Sequence, residues 1–128
     1  MILDSSAILA ILLREPGFEF IVERIASAQT LAIGAPTLTE TGIVLSNRMD
    51  NSARSVLIQF MHECKVEVIP FDEAHWQEAV TAYSLYGKGR HKASLNFGDC
   101  MTFAVAKLSG EPLLCTGGDF VKTDLELA

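Results

Sequence analysis

Residues 96–106 read Asn96-Phe97-Gly98-Asp99-Cys100-Met101-Thr102-Phe103-Ala104-Val105-Ala106. Apolar side chains recur in this segment at the spacing of an α-helix, which predicts a mostly buried helix with Asp99 in its first turn. A carboxylate at that position can cap the helix or complement the positive end of its dipole, and neither role needs a function. Whether Asp99 does more depends on three other acids in the chain.

Short apolar runs and longer amphipathic segments alternate on both sides of this helix. The short runs predict four strands, at residues 1–3, 31–33, 66–69 and 113–115. The amphipathic segments between them predict helices at about residues 5–13, 18–28, 36–48, 52–63 and 73–86. This alternation predicts an α/β fold, a three-layer α/β/α arrangement with a short parallel sheet of about four strands covered by helices. We expect residues 1–128 to form one domain.

Composition indicates a folded protein without a membrane segment. Of the 128 residues, 49% are hydrophobic and 20% are charged, which is typical of globular chains. No apolar run reaches the roughly 18 residues of a membrane span, and no basic region precedes Asp4 as in a signal peptide. The cysteines Cys64, Cys100 and Cys115 lack metal-site spacing and suit a reducing compartment. We therefore expect a cytoplasmic protein.

The net charge of −6 argues at first against a nucleic-acid partner. Its distribution weakens that argument, because no acid lies between Glu78 and Asp99 while Lys88, Arg90 and Lys92 fall within five residues. If four acids held two divalent ions, the effective charge would be −6 + 4 = −2. Net charge therefore does not decide the partner.

Four acids stand where a parallel sheet would bring them to one edge. Asp4 and Asp119 follow predicted strands, and Glu40 and Asp99 lie in the first turns of predicted helices. Ligands of such sheets bind beyond the carboxyl ends of the strands. Each acid also has a structural alternative: Asp4 as a helix cap, Glu40 in a capping box with Thr37, and Asp119 as a turn residue. Four independent caps have no reason to share one edge, so we expect the four acids to meet.

Carboxylates that meet repel one another, so a proton or a cation must be shared among them. Ligands that are all oxygen select Mg²⁺ or Mn²⁺ over Zn²⁺. Such ions activate water and stabilise charge in phosphoryl chemistry. The acids therefore predict a magnesium site for cleavage of a phosphate ester.

Four segments of the chain together resemble a PIN domain, specifically the VapC ribonuclease toxins of type II toxin–antitoxin pairs. The segments are Ile2-Leu3-Asp4-Ser5-Ser6-Ala7, Pro36-Thr37-Leu38-Thr39-Glu40, Leu95-Asn96-Phe97-Gly98-Asp99-Cys100 and Leu114-Cys115-Thr116-Gly117-Gly118-Asp119-Phe120. The resemblance extends from Met1 to about Asp124. It implies a PIN-like fold and a metal-dependent endoribonuclease, in which an activated water cleaves an RNA phosphodiester and leaves a 5′-phosphate and a 3′-hydroxyl.

The resemblance also implies residue roles. Asp4, Glu40, Asp99 and Asp119 would be the catalytic residues and the Mg²⁺ ligands, with Asp4 and Asp99 ligating directly and Glu40 ligating or orienting a water. Asp119 would hold a second ion or act through water. Many relatives have Gly-Asn-Asp-Phe where this chain has Gly117-Gly118-Asp119-Phe120, so the role and the metal count at Asp119 stay open.

The polar residues Ser6 and Thr116 match positions that support the carboxylates from behind. Lys88, Arg90 and Lys92 would hold the RNA backbone, and their alternative is an ordinary solvated turn. The resemblance further implies a VapB-like antitoxin partner and a homodimer. The rival to the whole hypothesis is a catalytically silent PIN-like interaction module.

Overall fold

The computed structural model describes all residues from Met1 to Ala128. Its elements are, in chain order, β1 (Ile2–Leu3), α1 (Ser5–Leu12), α2 (Phe18–Ser27), β2 (Leu31–Gly34), α3 (Ala35–Arg48), α4 (Ala53–Glu63), β3 (Val66–Ile69), α5 (Glu73–Tyr86), α6 (Phe97–Ser109) and β4 (Leu113–Leu114). A short 3₁₀ turn, Phe120–Lys122, follows β4. None of the helices combines the length and the apolar character needed to cross a bilayer.

The four strands form one parallel sheet in the order β3-β2-β1-β4. Ile2 of β1 stands opposite Ala32 of β2 on one side and Leu113 of β4 on the other. The predicted α/β class, parallel sheet and strand number are confirmed. The elements agree because apolar runs bounded by Gly and Pro predict short buried strands well.

Two hydrophobic clusters cover the two faces of the sheet, and side chains of adjacent strand residues enter different clusters. Ile2 and Leu113 pack with α5 and α6, where Phe103 is 2% exposed. Leu3 and Leu114 pack in the second cluster with α1 to α4. Successive residues of a strand point to opposite faces, so these two-residue strands serve both cores and make three layers.

Three helices begin at the carboxyl edge of the sheet. Helix α1 starts one residue after β1, and α3 starts directly after β2 with Pro36 in its first turn. Proline suits that position because its missing N–H would have no partner there. Asn96 caps the start of α6. The first turns of α1, α3 and α6 therefore surround the edge where β1 and β4 end.

Gly34 joins β2 to α3 at a point where α6 passes close behind. A Cβ added at Gly34 would stand 2.7 Å from Cγ2 of Val105, which is buried.

We predict that Gly34→Ala lowers the free energy of unfolding by about 1–3 kcal/mol through overpacking, measured by urea denaturation. In the control Gly42→Ala, the new Cβ meets Leu57 at an ordinary 3.6 Å. Gly42 lies within α3, so this change is expected to be neutral or to stabilise by up to ~1 kcal/mol. Unchanged stability in Gly34→Ala would contradict the packing described.

Candidate active site

Asp4 is held rigidly at the end of β1. It is only 7% exposed and caps α1. Its Oδ2 accepts hydrogen bonds from the Ser6 main-chain N–H (3.1 Å) and hydroxyl (2.6 Å), and its Oδ1 accepts one from the Thr102 hydroxyl (3.1 Å). Capping is thus a true role of Asp4, and the donors on two sides fix its carboxylate in one orientation.

A buried pair of threonines supports Asp4 from the interior. The hydroxyls of Thr37 and Thr102 lie 2.8 Å apart, and both residues are almost fully buried. The Thr102 hydroxyl also donates a hydrogen bond to Asp4, so the two threonines link α3 and α6 to the end of β1. The sequence does not predict this contact between Thr37, Thr102 and Asp4. Thr102 is 65 positions from Thr37 and 98 positions from Asp4, and no local sequence pattern indicates contacts over such separations.

Glu40 reaches the same edge from the first half of α3. Its Oε1 accepts a hydrogen bond from the Ser5 hydroxyl at 2.7 Å. Its carboxylate occupies the space where a Cβ of residue 98 would lie, so Gly98 is what allows the approach. The structural alternative for Glu40, a capping box with Thr37, does not form, because α3 already begins at Ala35 and the Thr37 hydroxyl bonds to Thr102.

Asp99 is the third residue of α6 and takes part in a reciprocal cap. Its main-chain N–H donates to Asn96 Oδ1 (2.9 Å), and its Oδ2 accepts from the Asn96 main-chain N–H (3.0 Å). Burial raises the pKa of the Asp99 carboxyl to about 6; the Asn96 N–H opposes this shift, while the charges of Asp119, Asp4 and Glu40 add to it. Asn96 is the capping residue of α6, and the negative charges of the three other acids act on the Asp99 carboxyl.

Asp119 stands exposed before the 3₁₀ turn, and its side chain caps nothing. Its charge nevertheless reaches the site. Burial raises the pKa of the Cys115 thiol to about 11, helped by the charges of Asp4, Asp119 and Asp99. The four acids therefore share one electrostatic environment, in which the Cys115 thiol stays neutral.

Ser6 and Thr116 support the site in different ways. The Ser6 hydroxyl donates to Asp4 and accepts from the main-chain N–H of Thr116 at 3.0 Å. Ser6 thus ties the end of β4 to Asp4. Thr116 acts there through its backbone, since its hydroxyl makes no hydrogen bond within the chain.

No cationic side chain neutralises these acids. The three ion pairs join Met1 to Glu111, His75 to Asp72 and Lys107 to Asp124, in each case away from the four carboxylates. The donors that hold Asp4, Glu40 and Asp99 are all neutral hydroxyls or amides. Neutral donors fix position but leave the negative charge in place.

The donor set suits Mg²⁺ or Mn²⁺ in kind, although it is not assembled as a cage. No three His, Cys, Asp or Glu side chains lie at ion-holding separations. The carboxylates of Glu40 and Asp99 each accept a hydrogen bond from a partner of their own, Ser5 and Asn96. Oxygen ligands of like charge and no competing soft donor fit a hard divalent cation. Binding one would require these side chains to rotate toward it.

The basic residues Lys88, Arg90 and Lys92 lie exposed on the loop between α5 and α6. Two main-chain bonds pin the loop, from Lys88 N–H to Leu95 O and from Leu95 N–H to Tyr86 O, both 2.9 Å. The structure does not pair any of the three with the four acids. They remain a positive surface separate from the carboxylates.

Comparison with known families and curated proteins identifies relatives over almost the whole chain. A family profile described as PIN domain matches residues 1–125. The ribonuclease VapC36 of Mycobacterium tuberculosis is 42% identical over 98% of this chain and 91% of its own length. The ribonuclease VapC of Mycolicibacterium smegmatis is 38% identical over 98% of this chain and 97% of its own. The expected resemblance is confirmed.

Solved structures share the fold at low sequence identity. VapC20 of Mycobacterium tuberculosis, described as a toxin that cleaves the sarcin–ricin loop, aligns with a TM-score of 0.81 at 18% identity, covering 99% of this chain and 97% of that one. VapBC2 of Rickettsia felis, solved with a DNA fragment from its promoter, aligns with a TM-score of 0.75 at 20% identity, covering 99% and 96%. These likenesses confirm the PIN-like three-layer fold.

We predict that Asp99→Asn stabilises the protein when divalent ions are removed. Asparagine keeps the acceptor for the Asn96 N–H and removes a charge that burial, and then the charges of three acids, disfavour. Because the folded-state pKa of about 6 lies above the ordinary value of 3.8, the parent gains stability from this group as the pH falls through 6. With EDTA at pH 7.5 the variant should therefore melt higher than the parent, and at pH 5 the difference should shrink.

The matched control is Asp124→Asn, which removes a carboxylate whose pKa the Lys107 hydrogen bond lowers. The melting temperature of Asp124→Asn should equal or fall below that of the parent, and the difference between the two proteins should be the same at pH 5 and pH 7.5. An Asp99→Asn variant no more stable than the parent at pH 7.5 would contradict the electrostatic description.

Proposed function

Because the chain belongs to the PIN-domain family, with relatives named VapC ribonucleases, we propose that it is a Mg²⁺-dependent endoribonuclease and the toxin of a toxin–antitoxin pair. We propose that residues 1–128 act as one domain in the cytoplasm. The observation that supports this proposal is that Asp4, Glu40 and Asp119 lie close enough to Asp99 for their charges to act on it, without a cationic partner. An ion bound among them supplies activation of water and charge stabilisation at a phosphodiester.

The chain's own contribution is to hold carboxylate oxygens in place before an ion arrives. Asp4 has the least freedom, since Ser6 and Thr102 orient both of its oxygens. Asp99 is anchored through Asn96, and Glu40 through Ser5. Asp4 and Asp99 are therefore the main proposed ligands. Glu40 ligates or orients water, and exposed Asp119 completes the site from the solvent side.

We propose that Lys88, Arg90 and Lys92 bind the RNA backbone. The three side chains are exposed and free of ion pairs with the acids, so their charges remain available for phosphates. Such contacts are independent of base sequence and weaken with salt. A single-stranded or looped segment is the favoured substrate, because its backbone can bend into the acidic site.

We predict that the purified protein cuts single-stranded RNA with Mg²⁺, that EDTA stops the reaction, and that the ends are 5′-phosphate and 3′-hydroxyl. Asp4→Asn and Asp99→Asn should each lower cleavage by more than about 100-fold, since even the partners of metal ligands cost 10–100-fold. Asp124→Asn is the control and should cut normally. Cleavage that survives EDTA, or is unchanged in Asp99→Asn, would refute the proposal.

The alternative is a catalytically silent interaction module, favoured by the absence of a preassembled ion cage. It is distinguished by adding Mg²⁺ or Mn²⁺ and measuring the melting temperature. An ion that binds the folded state raises that temperature, and Asp4→Asn should abolish the rise. No rise and no cleavage would support the silent module.

We propose that an antitoxin, as in the toxin–antitoxin complexes among the structural relatives, docks in a groove between α3, α4 and β3. The groove measures about 760 Å³, and its lining is largely hydrophobic. Ile43 and Ile58 line it although they are 59% and 61% exposed. Exposed aliphatic residues along a groove suit the apolar face of a partner helix.

We predict that Ile58→Glu weakens antitoxin binding by at least about tenfold, because a charge enters an apolar contact. The partner is the product of the neighbouring gene, and titration calorimetry measures the affinity. Leu85→Glu is the matched control, since Leu85 is 57% exposed on α5 outside the groove. RNA cleavage by both variants alone should be unchanged. Equal affinity in Ile58→Glu and the parent would place the antitoxin elsewhere.

We also propose a homodimer. Apolar side chains exposed on α2, such as Phe20 and Val22, leave surface available for a second copy. Sedimentation of the purified protein at twice the mass of one chain would support the dimer, and a single-chain mass would refute it.

A further inference from the structure

Phe97 is the most exposed of the large hydrophobic residues, at 80%. It is the first residue of α6, adjacent to Gly98 and two residues before Asp99. The apolar spacing of α6 predicts burial for its hydrophobic residues, and Phe103 follows that expectation. Phe97 does not, so the core gains almost nothing from an aromatic side chain at this position.

The Phe97 ring forms one wall of a small apolar cleft. The cleft measures about 260 Å³ and is lined by Ala79, Val80, Tyr83, Phe97, Cys100 and Met101. Pockets for drug-sized ligands measure roughly 300–1,000 Å³. This one therefore suits a single planar group, and its nearly complete lack of polar surface suits the face of an aromatic ring.

The cleft lies between the acids and the basic loop. Phe97 adjoins the turn where Gly98 meets Glu40. On the other side, the Arg90 guanidinium lies 5.4 Å from the centre of the Tyr83 ring, which also lines the cleft. The four acids, the apolar cleft and the basic loop thus adjoin one another along the surface. Proteins that bind single strands combine a cationic track with aromatic rings on which bases stack.

We propose that Phe97 stacks against a nucleobase of the single-stranded RNA substrate, in the cleft that Tyr83 also lines, with Arg90 toward the RNA backbone. The inference rests on the proposed ribonuclease function and adds a substrate-binding residue to it. Stacking is tolerant of sequence because every base has a π face. The cleft would accordingly position the strand without selecting one base.

The stacked base belongs to a nucleotide beside the one that is cut. Successive helical residues are rotated by about 100°, so Phe97 and Asp99 leave α6 on different sides. Their separation along the axis is only about 3 Å. A strand with a phosphate at the acids passes the N-terminal end of α6 beside the Glu40 carboxylate, and its neighbouring base reaches Phe97.

The test measures RNA affinity in an uncleaving background and keeps catalysis as a separate readout. Fluorescent single-stranded RNA is titrated into Asp99→Asn protein carrying Phe97→Ala, Phe97→Leu or Phe97→Trp. We expect Phe97→Ala and Phe97→Leu to weaken binding about 5- to 100-fold, the range for loss of one stacked base. Phe97→Trp should bind as well as Phe97. Leu108→Ala is the control, because Leu108 is exposed at the far end of α6.

The competing occupant of the cleft is a second copy of the chain, and the same variants exclude or establish it. Normal RNA binding by Phe97→Ala, or binding restored by Phe97→Leu, overturns the inference, because a protein interface needs only an apolar side chain. A Phe97→Ala protein that loses its dimer but binds RNA normally overturns it as well. Parent protein that fails to cut RNA refutes the proposed function, whereas the binding series still decides the role of Phe97.

Discussion

The structure depends on one electrostatic constraint, the repulsion among four carboxylates gathered at one edge of a parallel sheet. The chain holds three of them, Asp4, Glu40 and Asp99, with neutral donors: the hydroxyls of Ser5, Ser6 and Thr102 and the main-chain N–H of Asn96. A lysine or arginine in the same places would have relieved the repulsion and removed the attraction for a cation. The pKa of Asp99, raised to about 6 first by burial, shows that the charge is left largely uncompensated. A site that keeps such charge uncompensated gives up stability for it, as functional sites commonly do.

The fold makes this gathering possible because strand ends and helix starts share one edge. Asp4 follows β1 directly, while Glu40 and Asp99 project from the beginnings of α3 and α6. The two helices approach so closely that Gly98 leaves room for the Glu40 carboxylate, and Gly34 leaves room for Val105. The close packing of α3 against α6 and the placement of the acids therefore depend on the same two glycines, which lie where these helices approach each other.

The sequence was sufficient for the fold and for the placement of Asp4, Glu40 and Asp99 at strand ends and helix starts, but it did not predict the donors that hold them. The bounds of strands and helices follow from apolar spacing and from the positions of Gly and Pro. Both signals involve residues only a few positions apart. The bond from Thr102 to Asp4 joins residues 98 positions apart, so no local pattern contains it. Glu40 was open to interpretation as a capping residue of α3, but the helix begins earlier and Ser5 holds the carboxylate. Phe97 fits the apolar spacing of α6 and is nonetheless exposed, because it lies at the N-terminal end of the helix, and burial in the core begins only at Cys100.

The two-residue length of β1 has a consequence for how such a chain can evolve. Ile2 enters one core, Leu3 enters the other, and Asp4 turns into the site, so three consecutive residues serve three separate environments. Substitutions can change the size of any one side chain while the others stay in place. An insertion or deletion of a single residue would exchange both faces of the strand and move the carboxylate away from its donors at once. Among descendants of this chain, the spacing of these residues should therefore vary less than their identities.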